Sequence, residues 1–159
     1  MLEREKPFDL GIFHPPCTFL SYVANRHNGI PGRLEKRKEA MKFFLKLYNL
    51  NIPRICVENP VGYPNTVFRK PDQIIHPYFF GEPIQKRTCL WLKNLPLLNY
   101  DKDNIIKPEP LYICKGKICN GKKINFVEGI KGSGIERQKN RSRTFVSIAA
   151  AMADQWGSL

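Results

Sequence analysis

The stretch Phe8-Asp-Leu-Gly-Ile-Phe-His-Pro-Pro-Cys17 decides the fold by the way it stops. Phe8 to Phe13 is short and mostly apolar, which predicts a buried strand. Pro15 and Pro16 end it, because a proline has no N–H to give to a ladder. Cys17 to Pro31 then reads as a loop or short helical turn, punctuated by Gly29 and Gly32. From Arg33 to Leu50 the spacing predicts a helix. Leu34, Met41, Phe44, Leu45 and Tyr48 share one face, with Arg33, Lys36, Arg37 and Lys38 polar. Asn49 to Pro53 ends the helix, and Arg54-Ile-Cys-Val-Glu58 reads as a second strand. Strand, helix and strand within about 50 residues predict a parallel crossover unit. In such sheets functional groups gather where strands end, so neighbouring parallel strands would bring Cys17 and Glu58 to one sheet edge.

Beyond this unit, Val61 to Pro83 is a loop rich in glycine, proline and aromatics. Its Tyr63, Phe68, Tyr78, Phe79 and Phe80 suit either stacking on a flipped base or packing of a core. A strand is expected over Arg87 to Leu92, and 96–110 is irregular. Residues 111–127 predict a basic hairpin turning at Asn120-Gly121, and 128–140 a flexible, glycine- and charge-rich segment. A C-terminal helix is expected over 142–156, with Phe145, Ile148, Ala149, Met152 and Trp156 on one face and Gly157 at its stop. The expected architecture is one domain over residues 1–159. It is a three-layer α/β domain with a small β-hairpin excursion.

Composition narrows the function classes. A 42% hydrophobic chain of 159 residues can bury a core, and no run is long and apolar enough for a membrane span or a secretory signal. No membrane partner is therefore expected, and a cytoplasmic location is. Five cysteines, unevenly spread, fit thiols of a reducing compartment rather than a disulfide scaffold. Cys114 and Cys119, with Cys89 or His76 as helpers, suit a zinc site less well than a hairpin carrying two thiols, so no metal is expected. The net charge of +12 favours a polyanionic partner, DNA or a nucleotide. Lys115, Lys117, Lys122 and Lys123 on the hairpin, and Arg137, Lys139, Arg141 and Arg143 before the last helix, form two basic clusters. They suit phosphate contacts or a merely solvated surface.

His14-Pro-Pro-Cys-Thr18 resembles the Pro-Cys nucleophile motif of the cytosine-C5 DNA methyltransferases. Val57-Glu-Asn-Pro60 looks like that family's Glu-Asn-Val motif, and Gln85-Lys-Arg87 looks like the start of its Gln-x-Arg-x-Arg motif, in the same order. The whole chain also resembles small phage and prophage proteins of this superfamily through Pro15 to Thr18, Ile52 to Gly62, Arg69 to Ile75 and Ala151 to Trp156. The resemblance implies an incomplete Rossmann-like methyltransferase fold. It also implies catalytic roles for Cys17, Glu58 and Arg87 and substrate contacts from Pro16, Thr18, Asn59 and Gln85. The chemistry is that of a thiolate adding to cytosine C6, with a carboxyl group assisting at N3 and an arginine steadying the base carbonyl. Taken singly, each motif also reads as ordinary structure: a strand-ending turn with an inert thiol, a strand-end carboxylate, a solvated strand edge.

The chain departs from the family pattern in the cofactor half. The family's Phe-x-Gly-x-Gly loop for S-adenosylmethionine has no counterpart before the Pro-Pro-Cys strand, and the late cluster Gly129, Gly132 and Gly134 is a poor substitute. Cys89 stands where the last arginine of the third motif belongs, and Thr18 where the family has glutamine. S-adenosylmethionine is therefore expected only if a partner subunit, or a second copy in a homodimer, completes the site. The alternatives are a non-catalytic nucleic-acid- or nucleotide-binding phage protein and a cysteine-dependent enzyme acting on free nucleotides. A hydrolase built on Cys17 and His14 lacks an evident third orienting group in the sequence.

Overall fold

The computed structural model describes residues 8–108 and 145–159, together with 112–113, 123–124, 134 and 136. Leu10–Phe13 forms β1, Arg33–Tyr48 forms α1, and Arg54–Pro60 forms β2. β1 and β2 pair in parallel, from Leu10 opposite Arg54 to Phe13 opposite Val57, so the crossover unit is formed as the spacing predicts. The second strand runs two residues past Glu58, through Asn59 and Pro60. The short helix α2 (Pro64–Val67) and strand β3 (Gln73–Ile75) follow, and then β4 (Thr88–Lys93). β4 pairs antiparallel with β2, with Val57 opposite Trp91 and Pro60 opposite Thr88. The result is a four-stranded mixed sheet in the order β1-β2-β4-β3.

By internal contacts the chain divides into two compact units, Met1–Ile74 with Thr88–Leu97, and Ile75–Arg87 with Leu98–Leu159. The core of the first consists of Leu20, Met41, Phe44, Ile55, Val57, Cys89 and Trp91. Phe44 meets Trp91 edge to face with centroids 5.1 Å apart, and Phe68 meets Phe44 and Tyr48 in the same manner. Such T-shaped contacts suit the quadrupoles of the rings, and Tyr63 and Phe68 serve core packing here. Ile55, Cys56 and Val57 are successive and all fully buried, so side chains on both faces of β2 are shielded from water. Arg69 and Asp72 brace the far end of β4. The Arg69 guanidinium donates to Asp72 Oδ2, the Tyr48 hydroxyl and the Leu92 carbonyl, while the Leu92 amide donates to the same Asp72 oxygen.

The buried stripe of α1 differs from its apolar pattern. Met41 and Phe44 are buried as expected, but Leu34 is 48% exposed and Arg37 is buried instead. Arg37 can be interior because polar partners meet its guanidinium, whereas apolar periodicity registers only carbon-rich side chains.

In the second unit a 3-10 turn over Pro77–Phe80 packs against the C-terminal helix α3, Val146–Trp156. The helix begins later than residue 142 because Phe145 is extended, and its N-terminal amide at Ser147 donates to Glu82 Oε1. Phe145, Ile148, Met152 and Trp156 are buried as expected, while Ala149 is exposed. Gly157 closes the helix in a right-handed conformation, so no left-handed glycine cap is used. His76, Tyr78 and Phe79 form a ring cluster, and Phe79 stacks on Tyr100 with centroids 4.4 Å apart. Tyr112–Ile113 (β5) pairs antiparallel with Lys123–Ile124 (β6), the strand pairing expected of the hairpin. Its turn Asn120-Gly121, the segment 128–140 apart from residues 134 and 136, and Cys114 and Cys119 lie outside the described residues. Among the described residues no helix is long and apolar enough to cross a membrane.

Candidate functional site

The parallel register builds the site. Each β1 residue lies beside the β2 residue 44 positions on, and the same offset continues past the last paired residues. His14 therefore meets Glu58 and Pro15 meets Asn59. His14 Nδ1 lies 2.9 Å from Glu58 Oε2. A carboxylate only accepts, so toward an ionised Glu58 the His14 Nδ1 is the donor, and a neutral ring would present Nε2 as an acceptor. The Asn59 amide, 1% exposed, donates to the Pro15 carbonyl at 2.8 Å. That bond ties the Pro-Pro-Cys turn directly to the strand bearing Glu58.

Cys17 starts a turn in which its carbonyl accepts from the amides of Leu20 (3.1 Å) and Ser21 (3.0 Å). The chain after the turn is stitched to the segment that follows β2. The Tyr22 amide donates to Val61 O at 3.1 Å, the Tyr63 amide donates to Leu20 O at 2.6 Å, and Ser21 bridges Gly62 antiparallel. Gly62 is required by this approach, since a Cβ there would overlap the Leu20 carbonyl. From the other side α1 supplies two arginines. Arg33 Nη2 donates to Thr18 O at 3.2 Å and its guanidinium covers the Phe19 ring. Arg37 Nε donates to Phe19 O at 3.0 Å, its Nη2 donates to Asn25 Oδ1 at 2.7 Å, and it lies over the Tyr63 ring. The cysteine turn is thus held on both sides by hydrogen bonds to its backbone.

Accessibility differs among the members in a chemically useful way. Cys17 is half-buried, Glu58 retains 15% of its side-chain exposure, and His14 retains 38%. Cys56, on the next strand, contrasts with Cys17. Burial pushes its thiol far up, the negative charges of Glu58 and Asp72 add to the effect, and it stays a protonated core group. Pro16 and Thr18 flank Cys17 and are exposed, while Asn59 spends its amide on the turn. Gln85 and Arg87 belong to the second unit, exposed in the segment leading into β4. There Arg87 adds to the burial that lowers the His76 pKa. Of the basic clusters, Lys115, Lys117, Lys122, Arg137, Lys139, Arg141 and Arg143 lie outside the described residues, and of Lys123 only the backbone pairing is described. Among the described residues no three His, Cys, Asp or Glu side chains gather as a metal site.

Motif reading missed three features. His14 as the partner of Glu58 was legible only from the equality between their spacing and the strand register. Arg33 and Arg37, four apart on α1, read as solvated charge although they carry the cysteine turn. The third is a partner for His14, which the sequence left without an orienting group and which Glu58 supplies at Nδ1. Fold and site define a mixed α/β protein with a cysteine, a histidine and a carboxylate gathered toward the carboxyl ends of two parallel strands. Among known proteins, no family model and no curated protein matches the chain.

Proposed function

We propose that the protein is a DNA cytosine-C5 methyltransferase-like protein in which Cys17 adds to cytosine C6. The observation that carries this reading is the register, which brings the Pro-Pro-Cys turn and Glu58 to the same end of the β1–β2 pair. The addition forms an S–C6 bond and shifts the C5=C6 electron pair into the ring, while N3 takes a proton. C5 is left with enamine character. Glu58 serves N3 through the carboxyl oxygen not held by His14. Arg87 is assigned to the base carbonyl by the motif resemblance. The target base must leave a duplex to reach the thiol, and the charge of +12 supplies attraction to the phosphates.

In this reading the mixed sheet is an incomplete Rossmann-like methyltransferase fold. The described residues do not fit S-adenosylmethionine: β1 runs into His14-Pro15-Pro16, and Gly62 after β2 is packed against Leu20, so neither strand offers an open glycine turn to a nucleotide. A partner polypeptide or a second copy is required for methyl transfer, and that step is not assigned to this chain's residues. Trapping on 5-azacytosine DNA tests the addition, because the nitrogen at ring position 5 takes a proton and holds the S–C6 adduct with no methyl transfer. Wild type should form a covalent adduct that Cys17→Ser loses, and no adduct from wild type, or an unchanged one from the variant, sinks the assignment. Titration with S-adenosylmethionine, alone and with neighbouring gene products added, tests the cofactor. A second reading, a cysteine-dependent enzyme acting on free nucleotides, is favoured by the His14–Glu58 bond, which completes a Cys–His–carboxylate set. Salt-insensitive binding of mononucleotides with no binding to DNA would select it.

A further inference from the structure

We propose that His14 is the base that takes the proton of Cys17, held in the working tautomer by Glu58. The cytosine chemistry above gives this histidine no task, and the inference deepens the Cys–His–carboxylate reading of the same site. Three observations lead to it. His14 Nδ1 is fixed on Glu58 Oε2 at 2.9 Å, so the ring cannot turn freely and its other nitrogen is the available acceptor. Only Pro15 and Pro16 separate His14 from Cys17, and three residues of chain span at most about 10 Å. The prolines have fixed φ, and the Pro15 carbonyl is anchored by Asn59, which restricts how the thiol is presented to the ring.

The proton balance is closed. The Cys17 S–H bond breaks and Nε2 gains the proton, giving a thiolate and an imidazolium whose charge the Glu58 carboxylate offsets. When the thiolate attacks C6, Nδ1 passes its proton to Glu58, which passes one to N3. His14 is left neutral with its proton on Nε2 and Glu58 ionised again. This last relay rests on the cytosine reading, whereas activation of the thiol does not. Around the turn, Glu58 on β2 holds His14, Arg33 and Arg37 on α1 bond to the turn's carbonyls, Tyr63 after β2 meets Arg37, and the 3-10 helix Tyr22–His27 adds Tyr22 and His27.

The experiment follows alkylation of Cys17 in the full chain by iodoacetamide between about pH 5 and 10, read by peptide mass spectrometry with Cys17→Ser as blank. Wild type should titrate with a midpoint near the histidine range, about 2 pH units below an ordinary thiol at about 8.5. His14→Gln and Glu58→Gln should return the midpoint to about 8.5. Allowing for the weaker nucleophilicity of a low-pKa thiolate, the rate at about pH 6 should fall roughly tenfold. His14→Asn keeps an amide donor for Glu58 but has no titrating nitrogen, so it separates loss of the base from loss of the fold. His27→Gln should change nothing. An unshifted midpoint in His14→Asn, with circular dichroism like wild type, overturns the proposal, as does a wild-type midpoint of an ordinary thiol. A low wild-type midpoint without a 5-azacytosine adduct supports His14 as base and removes the cytosine reading.

Discussion

Replacing Arg37 by methionine should loosen the cysteine turn while leaving the sheet intact. The side chain is 6% exposed and holds two charge-assisted bonds, to Phe19 O at 3.0 Å and Asn25 Oδ1 at 2.7 Å, with the Tyr63 ring 5.2 Å from its guanidinium. A bond to a charged group contributes about 1.5–3 kcal/mol and a half-shielded cation–π contact about 0.5–1 kcal/mol. Asn25 is exposed and turns to water once released, so most of the loss falls on the Phe19 carbonyl and the ring contact. Methionine keeps the apolar stem, which puts the net cost at about 2–3 kcal/mol. Arg37→Lys keeps the charge but not the fork and should cost about 1–2 kcal/mol. Amide hydrogen exchange reads the effect where it is expected, at Leu20 and Ser21, which donate to Cys17 O, and at Tyr63, which donates to Leu20 O. Their protection should fall by about 30- to 150-fold in Arg37→Met, while amides of β2 opposite β4 change little. The exposed Lys38→Met should stay within about 0.5 kcal/mol of wild type. Unchanged protection at all three turn amides in Arg37→Met would refute the role given to this arginine.

Gly62→Ala should cost about 1–3 kcal/mol in urea denaturation and displace the cysteine turn, because the new methyl overlaps the Leu20 carbonyl. A variant as stable as wild type would show that the two backbones do not meet this closely. Burial by itself would raise the Asp72 carboxyl, but the Arg69 guanidinium and the Leu92 amide outweigh it and hold it below the ordinary carboxylate value. Its contribution to stability is thus complete above about pH 4 and is lost as pH falls through the lowered folded value, so Asp72→Asn should flatten the acid limb of the stability curve. Cys56 should resist alkylation in the native protein even at about pH 9 and react only on unfolding. Modification of Cys56 at the rate of Cys17 would contradict the burial that pushes its thiol up.

Local pattern went far where one element alone decides the outcome. The proline stop, the helical face of Met41 and Phe44 and the second strand lie where the spacing puts them, while the run read as a buried strand from Phe8 forms one only from Leu10 to Phe13, with Phe8 exposed and Leu10, Ile12 and Phe13 half-buried. The pattern failed where a side chain's environment comes from another segment. Leu34 counts as core by periodicity and is half exposed, while Arg37 counts as surface and is interior, because Phe19 and Asn25 supply its partners from a loop. The start of the last helix was misplaced for a similar reason: the extended Phe145 is buried and the first turn takes its acceptor from Glu82, far away in sequence.

The candidate site divides along the same line. Sequence alone determined the residue types and their order: a cysteine after two prolines at a strand end, a carboxylate on the following strand, and a helix between them that makes the strands parallel. Only the tertiary structure decided that His14 binds Glu58, that Asn59 holds Pro15, and that Gly62, Arg33 and Arg37 fix the backbone after Cys17. The physical reason is register. Each of these contacts joins segments distant in sequence, and their pairing is set by how β1, β2 and α1 bury their apolar faces together, a quantity no local window contains.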